Sequence, residues 1–220
     1  MAAAGASDVN EWQQRSLGDP TICPPSELLA PEWSIDRWIS CAFHRPQILN
    51  PFLERVGYGM YCASDLCAAC LDLGHGTTGH AVPSLTFARP VEFPADGSEI
   101  GLRSFYLEWP DPRTSCAGYK PPSGIPITIQ LGAWVPAKLS NFSIQRLGTK
   151  TIAVEACGFD ASDYINPDPG QQALAREILH DSGMVVVIPR RPFAKGGSYH
   201  VTMTVNEKKY DWSFSVTADH

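Results

Sequence analysis

The chain has 220 residues, 44% of them hydrophobic and 18% charged, with a formal net charge of -6. Intrinsic disorder needs low hydrophobicity and dense charge, so it is excluded, and 10% aromatic residues, including six Trp, supply bulk for a core. With 17 Lys and Arg against 23 Asp and Glu no nucleic-acid partner is expected, and no apolar run approaches the roughly 18 residues of a membrane span.

Residues 1–20 lack the basic and apolar regions of a secretory signal, whereas 19 Pro, 18 Gly and seven Cys suit an exported, loop-rich protein. Seven is odd, so at least one thiol is left over if the others pair within the chain. Cys23-Pro24-Pro25 breaks any helix there. From Pro31, the spacing of Trp33, Ile35, Trp38 and Ile39 predicts a helix over Glu32 to Ala42. Phe43-His44-Arg45-Pro46 ends it, Ile48 to Pro51 turns, and Arg55 to Tyr61 alternates as a strand.

Cys62 to Gly79 reads as a Cys- and Gly-rich connector, and Pro83 to Pro94 as the crossing into a second region, with the boundary near Val82. Residues 1–82 and 83–220 are thus two expected domains. Beyond the boundary the strand candidates are Gly101 to Leu107, Ile125 to Leu131, Phe142 to Arg146, Ile152 to Ala156, Met184 to Ile188, Tyr199 to Val205 and Tyr210 to Val216. The last two alternate apolar and polar residues around a turn at Asn206 to Lys209, which predicts a hairpin with one buried face. Ala173, Leu174, Ile178 and Leu179 form the apolar stripe of one inserted helix, Gln171 to His180, which Gly183 stops. The expected fold class is α+β.

Ser34-Ile35-Asp36-Arg37-Trp38, then Phe43 to Pro51 (Phe-His-Arg-Pro-Gln-Ile-Leu-Asn-Pro), then Val56-Gly57-Tyr58-Gly59 resemble bacterial members of the CAP superfamily. That superfamily unites cysteine-rich secretory proteins, antigen 5 allergens and plant pathogenesis-related proteins. The likeness spans about Glu32 to Tyr61 and departs at Phe43, where Gly is usual. It implies a partial α-β-α unit, an extracellular or envelope location, and a metal-ligand role for His44, which matches the family's cleft His. An imidazole suits zinc at neutral pH, but three or four ligands must converge, and residues 1–43 contain no other His. The competing reading is that His44 fixes a turn by hydrogen bonding. The portion is also shorter than the family's domain, which leads to the expectation that its upstream half, with export signal and cleft residues, is missing, the alternative being a degenerate member that keeps the second half as a structural cap.

Ile125 to Leu131, Pro189 to Val201 and Tyr210-Asp211-Trp212-Ser213-Phe214-Ser215-Val216 resemble bacterial Ig-like domains, which implies an antiparallel β-sandwich that spaces or binds. The match spans roughly Pro90 to Val216.

Cys62, Cys67 and Cys70 have the spacing C-x4-C-x2-C that begins an iron-sulfur pattern, whose fourth ligand would be the distant Cys116. Cys67, Cys70, His75 and His80 offer four zinc donors, and the alternative is two local thiols or a disulfide. Cys116 and Cys157 are disulfide candidates in an oxidising compartment and small core residues in a reducing one. Asp160, Asp163 and Asp168 near Asn166 lack calcium-loop spacing and read as Asx turns, and Asn141-Phe142-Ser143 is a glycosylation sequon. With no nucleophile elbow or phosphate loop, no catalytic residue is assigned. The expected function is non-enzymatic binding of a protein, lipid or cell-envelope ligand. Its rivals are a CAP-type metal-dependent activity and a zinc or redox module on Cys62, Cys67 and Cys70.

Overall fold

The computed structural model describes residues 31–63, 66–73, 76 and 86–218. Helix α1, Pro31–Ser40, opens the described chain with Pro at its first position, and a four-residue helix α2, Arg45–Ile48, follows. Strands β1 (Gly57–Ala63) and β2 (Leu66–Asp72) pair as an antiparallel hairpin. Trp38, Leu71 and Leu73 close a small core between these elements, with Ile48 and Leu53 against it.

The rest is dominated by two sheets. The first orders β10 (Ala156–Phe159), β11 (Met184–Pro189), β7 (Ile127–Gly132) and β3 (Thr86–Phe93), all antiparallel. The second orders β4 (Glu99–Ile100), β13 (Lys208–Val216), β12 (Ser198–Val205), β8 (Leu139–Leu147) and β9 (Ile152–Ala153). They pack face to face. Ile127, Ile129, Val185 and Val187 from the first meet Ile144, Tyr199, Val201, Met203, Trp212 and Phe214 from the second in one core. The pleat alternates side chains, and along β12 from Tyr199 and along β13 from Trp212 every second residue is buried while its neighbours reach solvent. The hairpin between them turns on Asn206 and Glu207, both at positive φ (50° and 65°), the conformation of a two-residue turn matched to strand twist.

The four-stranded sheet is covered on its other face too, so β7 and β11 are buried at every position. On that side Met184, Val186 and Ile188 pack under helix α3, Pro169–Ser182, through Ala175 and Leu179. Asp168 caps α3, its carboxylate accepting the Gly170 and Gln171 N–H groups, and Gly183 ends it in the left-handed conformation (φ 56°). Ala42, Phe43, Phe159 and Tyr164 join the same second core, so the stretch after α1 is built into the sandwich.

The inserted helix and the sandwich expected from the sequence are present. Four stretches come out differently. Leu66–Asp72, read as connector, is β2, and Thr86–Phe93, read as the domain crossing, is β3. Pro90 falls within the register shift between Thr86 and Val91, where a missing N–H breaks no ladder bond. The strand expected over Gly101 to Leu107 is reduced to β5 (Ser104–Phe105), paired with β6 (Ser123–Gly124), and the one expected over Ile152 to Ala156 divides between β9 and the first residue of β10, which lie in different sheets. No helix among the described residues is long and apolar enough to cross a membrane.

Candidate functional site

His44 sits in the turn between α1 and α2 and is 1% exposed. Its Nδ1 lies 3.2 Å from Oε2 of Glu108, a residue 64 positions away that is equally buried. The carboxylate also accepts the backbone N–H of Ala42 at Oε1 (2.7 Å) and of Phe43 at Oε2 (3.0 Å). Backbone N–H groups in a buried turn need a partner, and here a buried anion answers two successive ones. Cys41, 1% exposed, places its thiol 3.8 Å from the Leu107 carbonyl, next to Glu108 in sequence.

Arg45 completes the cluster as a fully buried cation. Its Nε donates to the Ile39 carbonyl (2.7 Å), Nη2 to Ser40 (3.3 Å), and Nη1 to the Pro126 carbonyl (2.8 Å) and the Thr128 hydroxyl (3.1 Å). The guanidinium lies 3.8 Å from the centre of the Phe93 ring. Burial lowers its pKa, and the charge of Glu108 and then that of Cys41 oppose that shift. Gln130 Nε2 donates to the Pro46 carbonyl at 3.1 Å. Thr128 and Gln130 are the polar half of the alternation Ile-Thr-Ile-Gln-Leu on β7, so the face that the pattern assigns to solvent is the dock for residues 39–46.

The sequence singled out His44 and missed Cys41 and Glu108. A C-x2-H spacing was visible at Cys41 and His44, but nothing near Glu108, in Glu-Trp-Pro-Asp-Pro, points to a partner so far upstream. The three residues bring a thiol, an imidazole and a carboxylate together, a donor set that fits zinc.

The other candidates resolve separately. Cys116 and Cys157 form a disulfide, their Cα atoms 5.7 Å apart. On the β1–β2 hairpin Cys62 is the register partner of Cys67, whereas exposed Cys70 faces Gly59 three residues along. The side chains of Cys62 and Cys67, and His75 and His80 altogether, lie outside the described residues.

Asp160 is buried within a turn, accepting from the Ser162 N–H and hydroxyl and the Leu139 N–H, with Lys138 Nζ 3.1 Å away. Asp168 is the α3 cap and Asp163 bonds the Asp160 N–H, so these carboxylates act as Asx turns and caps.

His200, Ser213 and Asp211 form another polar group across β12 and β13, with Nδ1 3.1 Å from the Ser213 hydroxyl and Nε2 3.1 Å from Asp211. The Ser213 N–H donates to Asp96, so the donor that would stabilise an oxyanion beside this serine is already engaged.

No family model matches the chain, and no curated protein matches it. The fold and the disulfide define a sheet-rich β-sandwich protein compatible with an oxidising, extracellular setting.

Proposed function

We propose that the protein is a non-enzymatic binding or interaction module of the cell envelope or the extracellular space, in which a CAP-like segment is fastened to an Ig-like sandwich. The observation that carries this reading is the buried junction: Glu108 holds the Ala42–His44 turn, and Arg45 reaches the start of β7 at Pro126 and Thr128. The most deeply buried polar groups of the cluster are engaged in orienting backbone, the work of a rigid scaffold. The Cys116–Cys157 disulfide supports export, since such bonds persist in oxidising compartments.

Cosedimentation of the oxidised protein with purified cell-wall polymer and with anionic lipid vesicles tests the reading. Saturable retention on one of them, without chemical change in it, is expected. Retention on neither, or metal-dependent turnover abolished by His44→Gln, overturns it.

A CAP-type metal-dependent activity is favoured by the meeting of His44 with Cys41 and Glu108. A zinc or redox module on Cys62, Cys67 and Cys70 draws support only from the register pairing of the first two.

A further inference from the structure

Cys41 and His44, three positions apart in the turn after α1, meet Glu108 from the segment that follows β5. One ligand atom from each lies within 4.8 Å of the other two, and each residue is about 1% exposed. Three ionisable groups of different chemistry rarely share one dry site. We propose that Cys41, His44 and Glu108 bind a thiophilic divalent ion, zinc in the first place, which ties the α1–α2 turn to the sandwich. The proposal rests on this geometry: Cys41 and Glu108 form no part of the resemblance noted for His44.

The donor types select the ion. A thiolate with an imidazole and one carboxylate suits zinc, whereas calcium and magnesium take oxygen donors almost throughout. Glu108 is prepared for the role, because the Ala42 and Phe43 N–H groups fix its carboxylate plane, as partners of metal-bound carboxylates do. The 3.2 Å between His44 Nδ1 and Glu108 Oε2 is also the spacing of two ligands on one ion. Donors about 2.0–2.1 Å from a tetrahedral zinc stand roughly 3.3–3.4 Å apart.

Charge balances as well. On binding, the Cys41 S–H bond breaks, the proton leaves to solvent and a sulfur–metal bond forms, while His44 coordinates as neutral imidazole. A dication, one thiolate and one carboxylate sum to zero, so the buried Arg45 guanidinium is left as the single net charge of the cluster. Arg45 keeps its carbonyls at Ile39, Ser40 and Pro126 and the Phe93 ring, none of which the ion uses.

The test is titration of chelator-treated full-length protein with cobalt(II), a coloured surrogate, followed by zinc competition. One equivalent of cobalt should produce a thiolate-to-cobalt charge-transfer band that zinc abolishes, and either ion should raise the melting temperature. Cys41→Ser, which preserves side-chain size, should remove the band and weaken zinc by at least ~100-fold, the upper end of what losing an outer-shell partner costs. Cys70→Ser should leave both intact. Absence of the band in the wild-type protein overturns the site. So does a band that survives Cys41→Ser, which would place the thiolate on another cysteine.

Discussion

At the scale of single residues, Glu108 shows how one buried charge organises its surroundings. Its carboxylate answers two backbone N–H groups and one imidazole, so removing the charge strands several donors at once. Breaking one side of a buried ionic arrangement costs about 3–5 kcal/mol, and Glu108→Gln should lose that much in metal-free buffer, since the amide nitrogen opposes an N–H that the carboxylate accepted. His44→Gln keeps a polar partner for Glu108 and should lose only about 1 kcal/mol. Urea unfolding with an unchanged m-value measures both.

Asp160 is a second buried carboxylate, with a different balance. Burial pushes its pKa up, but hydrogen bonds from the Ser162 side chain and backbone, the Leu139 N–H and Lys138 outweigh it, and the net shift is downward. A carboxylate with a depressed folded-state pKa contributes stability that is complete above its unfolded value and is lost as pH falls through the folded one. Acidification below about pH 4 should therefore destabilise the wild-type protein more steeply than Asp160→Asn, with thermal melts between neutral and acidic pH as the measurement.

At the scale of elements, α3 and β11 meet at Gly183. A β-carbon there would collide with the Gly132 carbonyl and come within 2.7 Å of the Val135 carbonyl, and the φ of 56° already disfavours any side chain. Gly183→Ala should cost more than the roughly 1–2 kcal/mol of a left-handed non-glycine residue, because backbone must also move. A fall in urea midpoint too small for that cost would show that the helix-to-strand junction can relax. The continuous run Met-Val-Val-Val-Ile-Pro of β11 has its cause here as well: Val185 and Val187 face the inter-sheet core, while Met184, Val186 and Ile188 face α3. A strand covered on both sides has no polar face to show.

For the molecule as a whole, the Cys116–Cys157 bond closes a sequence separation of 41 residues and joins the loop after the short helical turn Pro112–Ser115 to β10. Restricting the unfolded chain over such a loop is worth about 4 kcal/mol in the chain-entropy account. The double variant Cys116→Ala, Cys157→Ala should lose about 2–4 kcal/mol, and reducing agent should lower the wild-type melting temperature while leaving that variant unmoved.

Much of this molecule could be read from one chain. The alternation of β12 and β13, the stripe and stop of α3, and the turn chemistry at Asn206 are local signals, and local signals survive without a fold. Local pattern was enough for a globular, sheet-rich chain with a closing hairpin, an inserted helix and a candidate histidine at position 44. It took the packed molecule to make β2 and β3 strands, to turn Thr128 and Gln130 inward toward Arg45 and Pro46, and to stand Glu108 against His44 and Cys41. The reason is distance along the chain. Periodicity reports which face of an element is apolar, whereas the partner of a buried polar group is set by which surfaces meet, and here they come from residues 64 to 84 positions apart.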